Sequence, residues 1–426
     1  MKDKKIPEWI KLDNAANIYP STLSKNYAAM FRMTVTLSEK IDEEILEKAL
    51  KNVITRFPSF RYRLKMGLFW YYFKKIDGIP EIGKDFKNPL LRMNLNKNFM
   101  FRVRYFDKRI AVEYFHALTD GYGGMTFLLT LCAEYLKIQK QIKFEYKGMV
   151  LNPKGSISKE ESKDSFNKYA KGLGSLEKEK PAYHQKGTIE KHHMINIITG
   201  IIPLTKLKEK SKEYNCTITE FIVSLMIDSM QEIQEKEKVK ETKKKPIKIS
   251  VPINLRKIYP SKTLRNFSSY VNVGIETKYG HYSFLEIVNQ IKSEMNLLIT
   301  EKRINAKISG NVNLTKNYFI RLIPMFIKKY IMSIAEKLMG DRYCTTTFSN
   351  IGLIEVPKEL EKYIKELGFI IGKSRGKPGS VACVSYKNNI YMSFSRKIKE
   401  SEFERIFFTK LIEMGIPVEI ESNIGR

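Results

Sequence analysis

The sequence predicts an α/β fold made of two related lobes. Segments with strand and helix patterns alternate along both halves of the chain, which is typical of layered α/β proteins. A polar stretch at residues 151–192 separates the halves and holds few large apolar side chains. The 426 residues, 43% of them hydrophobic, suffice for a core in each half. We therefore predict an N-terminal lobe at 1–150, a crossover segment at 151–192 and a C-terminal lobe at 193–426.

The N-terminal half is predicted to open with a strand at Met30–Leu37. Apolar residues at helical spacing then predict a helix over Ile41–Phe57. Two hairpins and a second helix follow, predicted at Phe60–Leu64 with Leu68–Phe73, at Phe99–Phe106 with Ile110–Phe115, and at Met125–Leu136.

The C-terminal half repeats this alternation. Strands are predicted at Met194–Ile202, Ile247–Ile253, Ser269–Glu276, Tyr343–Ser349, Ser380–Ser385 and Ile390–Ser395, and helices at Thr205–Tyr214, Thr217–Glu232, Phe284–Glu301 and Glu402–Met414. One further segment, Tyr318–Leu338, is apolar and basic but is broken by Pro324. For this segment we favour a core-packed helix kinked at the proline over a helix that rests on an anionic bilayer.

Composition excludes several classes of protein. The formal charge of +29 is compatible with a basic background composition, with an anionic substrate or with a lipid surface, but no nucleic-acid-binding motif accompanies it. The four cysteines have no near neighbours, so neither a zinc site nor a disulfide framework is predicted. The start of the chain lacks the apolar core of a secretory signal, and we expect a cytoplasmic protein.

One short motif stands out, at the end of the predicted strand Ile110–Phe115. His116 follows the strand directly, Asp120 comes four residues later, and Gly121 opens a glycine-rich turn into the next helix. A neutral imidazole held at the end of a rigid strand can act as a general base. The alternative is a structural histidine that closes the strand, with Asp120 capping the helix.

Two more segments carry polar residues at the ends of predicted strands. Arg256, after the strand Ile247–Ile253, can pair with a carboxylate, or it is one more surface cation. Ser349 and Asn350 end the strand Tyr343–Ser349 and can donate hydrogen bonds to a developing oxyanion. Without outside support, a threonine-rich strand followed by a turn explains the last segment equally well.

In this order and near these separations, the three segments resemble the chloramphenicol-acetyltransferase-like superfamily of CoA-dependent acyltransferases. The superfamily includes peptide-synthetase condensation domains, and the chain looks most similar to the branch of bacterial alcohol acetyltransferases and polyketide-associated acyltransferases. The resemblance extends from Asn14 to Glu421. It implies two α/β lobes with a central tunnel that acyl donor and acceptor enter from opposite faces. It also implies a stand-alone enzyme, because no carrier or adenylation segment is attached.

The resemblance assigns roles to the motif residues. His116 would be the general base that takes a proton from a hydroxyl or amine acceptor, which attacks the thioester directly. Asp120 would be structural, with Arg256 as its partner, and Gly121 would allow a tight turn. Ser349 and Asn350 would line the tunnel and contact the oxyanion. Phe115 replaces the first of the two adjacent histidines usual in condensation domains, which disfavours peptide-bond synthesis.

The partners implied by the resemblance are an acyl-CoA or acyl-carrier thioester and an alcohol or amine acceptor. Acyl-CoA would be a co-substrate, and neither a bound cofactor nor a metal is predicted. Two alternatives stay open: a non-catalytic relative whose tunnel binds a thioester, lipid or protein partner, and an enzyme in peripheral contact with a membrane.

Overall fold

The structure of the protein, a computed structural model, describes residues 6–23, 27–90, 92–172, 174, 179–191, 194–331, 341–374 and 376–424. Strands and helices alternate through this part of the chain, as predicted. The strands are β1 (Trp9–Lys11), β2 (Met30–Leu37), β3 (Tyr62–Met66), β4 (Tyr71–Lys75), β5 (Ile82–Lys84), β6 (Phe101–Phe106), β7 (Arg109–Phe115), β8 (Asn196–Pro203), β9 (Ile247–Asn254), β10 (Ser268–Ile275), β11 (Thr346–Ile354), β12 (Ile364–Ile371), β13 (Gly379–Tyr386), β14 (Asn389–Arg396) and β15 (Glu419–Ser422).

Polar side chains cap the first turn of several helices. Asp42 accepts a hydrogen bond from the backbone of Ile45, and Thr217 forms a capping box with Glu220. The helices are α1 (Ile18–Thr22), α2 (Glu43–Ile54), α3 (Gly121–Lys140), α4 (Phe166–Tyr169), α5 (Leu204–Glu213), α6 (Ile218–Lys236), α7 (Phe284–Leu298), α8 (Glu301–Lys316), α9 (Tyr318–Leu322), α10 (residues 325–331), α11 (Lys358–Glu361) and α12 (Glu402–Glu413).

Three sheets organise the described strands. Their orders are β12-β2-β7-β6-β5, β10-β9-β11-β13-β14-β8-β15 and β1-β4-β3. In the five-stranded sheet, β2 and β7 run antiparallel and pair Met30 with Phe115. Helix α3 packs on this sheet, and all its residues from Gly123 to Leu136 are buried. The ring of Phe127 from α3 stacks on Phe60 with centroids 5.0 Å apart, which anchors the helix on the core.

The seven-stranded sheet forms the second lobe. β11 runs parallel to β9 and to β13, whereas the other strand pairs of this sheet are antiparallel. Helices α6, α7 and α12 pack beside it, around a core that includes Phe221, Ile249 and Phe407. The fold is thus the predicted two-lobed α/β arrangement.

Strand β12 connects the lobes. It belongs to the C-terminal half of the sequence, yet it completes the five-stranded sheet by pairing antiparallel with β2, from Ile364 opposite Leu37 to Ile371 opposite Phe31. β12 was not predicted, because Lys365, Glu366 and Gly368 weaken its apolar pattern. The lobe boundaries at 150 and 193 stay a prediction, and the predicted end of the crossover segment at residue 192 lies outside the described residues.

The expectation of a core-packed helix over Tyr318–Leu338 is wrong for its described part. Helix α9 ends at Leu322, ahead of Pro324, and α10 begins just after the proline. Met325 is buried, but its neighbours Phe319 and Phe326 are exposed. Residues 332–338 lie outside the described residues. Among the helices that are described, none has the length and apolarity needed to cross a bilayer.

Candidate active site

His116 lies directly after β7, where the predicted strand ends. Its backbone N–H donates to the carbonyl of Ala29 at 2.8 Å, which fixes the chain just beyond the strand. Tyr19 stacks on the imidazole with centroids 4.4 Å apart and an interplanar angle of 16°. The ring of Phe31 packs against the imidazole in a T-shaped arrangement, with ring centroids 5.1 Å apart. The imidazole is therefore held between side chains from two distant segments.

The surroundings of His116 favour the neutral ring. Burial lowers its pKa below the ordinary 6.5, and this effect outweighs those of its own backbone, Asp120 and the Asn266 side chain, which all favour the protonated form. Nδ1 is enclosed within the protein. Because the residue as a whole is only partly buried, we expect Nε2 to be the nitrogen that meets a substrate. A neutral imidazole has the properties of a general base.

Asp120 has no free oxygen to offer a substrate. Its Oδ1 accepts from the N–H of Gly123 at 3.2 Å and so caps α3. Its Oδ2 accepts from Nη1 of Arg256 at 2.7 Å and from the N–H of Phe267 at 2.8 Å. The carboxylate thus fixes the turn after His116 and also joins the two lobes.

Arg256 is a buried cation whose charge is well compensated. Besides Asp120, its guanidinium donates to the carbonyls of Thr263 at 2.8 Å and Arg265 at 2.7 Å, and it lies 4.6 Å from the ring centroid of Tyr122. The alternative that Arg256 is an ordinary surface cation is wrong, since its side chain is only 7% exposed. The sequence hypothesis for Asp120 and Arg256 names two residues that the structure brings together.

Two more contacts strengthen this junction. The hydroxyl of Thr119 donates to the carbonyl of Leu264 at 2.6 Å, and the amide of Asn266 donates to the carbonyl of Ala117 at 3.2 Å. We call the contacts between residues 117–123 and residues 256–267 the inter-lobe clamp. The clamp holds the loop that presents His116 against the C-terminal lobe.

A tight turn is predicted at Gly121, and the closest backbone approach in this segment lies two residues later, at Gly123. A Cβ atom at Gly121 would lie 3.6 Å from the nearest side-chain atom, of Ile351, which is ordinary contact. A Cβ at Gly123 would lie 2.2 Å from the carbonyl oxygen of Leu264. Gly123, and not Gly121, is therefore the residue at which the inter-lobe clamp requires glycine.

The segment with Ser349 and Asn350 does not end its strand. β11 continues to Ile354 through a bulge, in which Gly352 has a φ of +91°. The Asn350 side chain accepts from the N–H of Gly352 at 2.8 Å and donates to the hydroxyl of Thr219 at 3.3 Å. Asn350 thus holds the bulge with its carbonyl oxygen and one of its two amide N–H groups, and its role as an oxyanion donor stays a prediction. Ile351, two residues after Ser349, brings β11 next to Gly121.

An N-terminal arm, residues 9–22, forms a part of the site that sequence reasoning missed. Fully buried Asp13 accepts from the N–H of Ala16 at 2.8 Å, and its other oxygen lies 3.4 Å from Nε of Arg265. Burial raises the pKa of Asp13 to about 7, although Arg265 acts in the opposite direction. The arm then carries Tyr19 onto His116. No local pattern marks either residue, because their roles arise from contacts with distant segments.

A cavity of about 340 Å³ lies between the two large sheets. Arg32 and Thr34 of β2 line it, together with residues of β8, β12 and β14. Since alternate residues of a strand face opposite sides, this cavity lies across β2 from Phe31, the residue that touches His116. The polar cavity between the sheets therefore lies on one face of β2, and the imidazole of His116 lies on the other.

The other described histidines have structural partners. His184 lies within hydrogen-bond distance of the carbonyls of Asp341 and Cys344, and His281 pairs with Glu235. In the described ranges, no group of three or more His, Cys, Asp and Glu side chains could hold a metal ion. His116 is thus distinguished from them by its aromatic surroundings and its place in the inter-lobe clamp.

Solved structures with this fold cover nearly the whole chain. Polyketide synthase associated protein 5 from Mycobacterium tuberculosis superposes with a TM-score of 0.60 at 12% identity, over 94% of this chain and 96% of that one. The trichothecene 15-O-acetyltransferase of Fusarium sporotrichioides gives 0.60 at 10% identity, over 95% and 94%. F. graminearum TRI101, complexed with ethyl coenzyme A, gives 0.63 at 10% identity, over 98% and 99%.

Sequence comparison identifies the family. No curated protein matches the chain significantly. The model of the alcohol acetyltransferase family, however, matches residues 136–402, which is more than half of the chain. This match begins after His116 and Asp120, so it does not depend on that motif, which is one of the three segments behind the resemblance. The chain belongs to the alcohol acetyltransferase family.

Proposed function

We propose that this protein transfers an acyl group from acyl-CoA to a hydroxyl or amine acceptor, with His116 as general base. The observation that carries the proposal is the imidazole itself. Its pKa is lowered by burial and its Nδ1 is enclosed, so we assign the proton transfer to Nε2. Membership of the alcohol acetyltransferase family supports the reaction class, and an alcohol is the acceptor that it favours.

The reaction proceeds by direct attack. Nε2 of His116 takes the proton of the acceptor hydroxyl while the oxygen forms a bond to the thioester carbonyl carbon. The tetrahedral intermediate then collapses, the C–S bond breaks, and the imidazolium returns its proton to the departing thiolate of CoA. A positioned base of this kind contributes roughly 10²- to 10⁴-fold to the rate.

Asp120 and Arg256 take no part in proton transfer in this mechanism. The Asp120 carboxylate is occupied by Arg256 and by the backbone of Gly123 and Phe267, so it acts by holding the loop of His116 in place. Ser349 and Asn350 are our candidates for the oxyanion contact; Asn350 uses its carbonyl oxygen and one amide N–H at the β11 bulge, and its second N–H can make this contact. Loss of one oxyanion donor costs roughly 10²- to 10³-fold in kcat.

The donor proposed is a CoA thioester, although a carrier-bound thioester would undergo the same chemistry. Proteins of similar fold have been solved with CoA compounds, among them TRI101 with ethyl coenzyme A and the starter condensation domain of rhizomide synthetase RzmA with C8-CoA. The formal charge of +29 would also attract the phosphates of CoA.

The decisive experiment measures thiol release from acetyl-CoA and longer acyl-CoAs with a pool of alcohols and amines. Wild type, His116→Ala and His281→Ala would be compared, since His281 is a histidine outside the site. We expect release to fall by roughly 10²-fold or more in His116→Ala alone, with folding intact by circular dichroism. Equal release from all three proteins would exclude His116 as the base. Binding of acyl-CoA by both wild type and His116→Ala without turnover would instead indicate the non-catalytic relative.

A further inference from the structure

Two segments far apart in sequence form one exposed apolar surface. The first is the hairpin of β3 and β4, whose tip carries Leu68 and Trp70. The second is the stretch 314–331, which carries Phe319, Phe326 and Tyr330. Exposure reaches 68% at Leu68, 79% at Phe319, 69% at Phe326 and 70% at Tyr330. Exposed apolar side chains are ordinary when scattered, but a contiguous group of this size marks an interaction surface.

Direct contacts hold the two segments together. The N–H of Met325 donates to the carbonyl of Leu68 at 2.6 Å, and Nζ of Lys328 donates to the carbonyl of Phe69 at 2.8 Å. The buried side chain of Met325 anchors the start of α10. The rings of Tyr318 and Phe319 lie beside each other at 6.2 Å between centroids. We call the hairpin tip and residues 314–331 the apolar-basic surface.

The charges of this surface have one sign. No Asp or Glu occurs at residues 61–76 or 302–331, whereas basic side chains are frequent in both stretches. Lys65 and Lys74 belong to the hairpin, and Lys316, Arg321 and Lys329 to the second segment. Aromatic side chains among lysines and arginines, without carboxylates, are the composition of proteins that lie in the interface of an anionic bilayer.

We propose that the apolar-basic surface docks the protein on an anionic membrane. The tip of the hairpin and the rings of residues 318–330 enter the headgroup region, and the lysines and arginines contact lipid phosphates. A second copy of the chain fits the surface less well, because a symmetric contact would bring cations against cations. The proposal does not depend on the reaction assigned to His116.

The surface is also linked to the candidate active site. Asn14, in the arm that carries Tyr19, donates to Thr315 at 3.2 Å and to the carbonyl of Asn311 at 3.4 Å, near the end of α8. β1 of the same arm pairs with β4 of the hairpin. The arm over His116 therefore contacts both the hairpin that carries the tip and the segment 314–331. A protein docked in this way would hold the arm next to the bilayer.

The chain contains its own probe for the test. Its two tryptophans, Trp9 and Trp70, both lie on or beside the β1-β4-β3 sheet, and both are partly exposed. The experiment combines flotation with tryptophan fluorescence, using vesicles of phosphatidylcholine with phosphatidylserine and vesicles of phosphatidylcholine alone. We expect flotation with the anionic vesicles, a blue shift of the emission, and weaker binding at high salt.

Matched variants locate the binding surface. Phe319→Ser with Phe326→Ser should lower the partition coefficient about tenfold or more, and Arg321→Gln with Lys329→Gln should do so on anionic vesicles only. Tyr279→Ser with Ile412→Ser, which removes two exposed side chains elsewhere, should leave it unchanged. All variants should keep wild-type circular dichroism spectra.

Four results would overturn the proposal. One is a wild-type protein that does not float with anionic vesicles. The second is equal binding by wild type and the Phe319→Ser, Phe326→Ser variant. The third is an unshifted tryptophan emission on bound vesicles, since the contact would then lie elsewhere. The fourth is self-association, measured by sedimentation equilibrium, that this variant abolishes while no protein floats. That result would assign the surface to a second copy of the chain.

Discussion

The imidazole of His116 owes its properties to its neighbours more than to its place in the motif. Tyr19 covers one face, Phe31 meets it from the side, and Nδ1 is enclosed. The sequence indicated the strand before His116 and the helix after it, and both predictions are confirmed. Tyr19 could not have been found in this way, because it reaches the ring through a chain segment almost a hundred residues away.

The pH dependence of turnover should reflect the buried imidazole. Burial lowers the pKa of His116 below 6.5, and only the neutral ring can accept a proton. The rate should therefore be constant near neutral pH and should fall as the pH drops through the lowered pKa. The measurement is kcat/KM as a function of pH. An acidic limb at or above pH 6.5 would contradict the assignment.

Asp13 should make the free energy of unfolding decrease as the pH rises, whereas a carboxylate whose pKa is lowered by folding makes it increase. Its pKa is raised from 3.8 to about 7 by burial, so folding favours the protonated form. This stabilisation is complete below the unfolded pKa and is lost as the pH rises through the folded value. Asp13→Asn should therefore flatten the decline in the free energy of unfolding between about pH 4 and about pH 7. Denaturant titrations of wild type and Asp13→Asn at several pH values measure this free energy. Parallel pH dependences of the two proteins would refute the prediction.

At the scale of elements, the inter-lobe clamp shows how backbone and side chains cooperate. Asp120 caps α3, and the same carboxylate binds Arg256 and the backbone of Phe267. The sequence suggested Asp120 either as a helix cap or as the partner of Arg256. The structure combines both roles in one carboxylate, because Oδ1 caps α3 and Oδ2 binds Arg256. The need for glycine at Gly123 was not predicted, because sequence alone does not reveal how closely the carbonyl of Leu264 approaches.

Alanine substitutions at the two glycines should separate these roles. Gly123→Ala places a methyl group 2.2 Å from the carbonyl of Leu264, so the clamp must move, and the variant should lose several kcal/mol of stability and most activity. Gly121→Ala meets Ile351 at 3.6 Å and Met33 at 3.9 Å, both ordinary contacts, and in a helix should be neutral or stabilising by up to about 1 kcal/mol. Urea denaturation and thiol-release assays of both variants test this. Similar losses in the two variants would contradict it.

At the scale of the whole molecule, the alternation of strands and helices was enough to predict two α/β lobes. It did not reveal that β12 leaves the C-terminal half and completes the N-terminal sheet, because pairing between distant strands leaves no local signal. The prediction of a core-packed helix at Tyr318–Leu338 was wrong for a related reason. An apolar sequence shows that a surface needs a partner, but it does not say whether that partner is the core of the same protein.

Because β12 comes from the C-terminal half and completes the N-terminal sheet, unfolding should be cooperative across both lobes. Neither sheet can lose its order alone, because β12 pairs with β2 and the inter-lobe clamp joins residues 117–123 to 256–267. We expect one calorimetric transition for the full chain. Two resolved transitions, or a stable fold of residues 1–192 on their own, would show that the lobes are independent and would contradict the expectation.

The position of β12 also has a consequence for synthesis on the ribosome. β2 emerges early, but its partner on one edge is made more than 300 residues later. Throughout that interval the nascent chain exposes an unpaired and largely apolar strand edge, which is a site for aggregation or for binding by chaperones. The last steps of folding must therefore follow translation of β12, so that the lobe begun first is completed almost last.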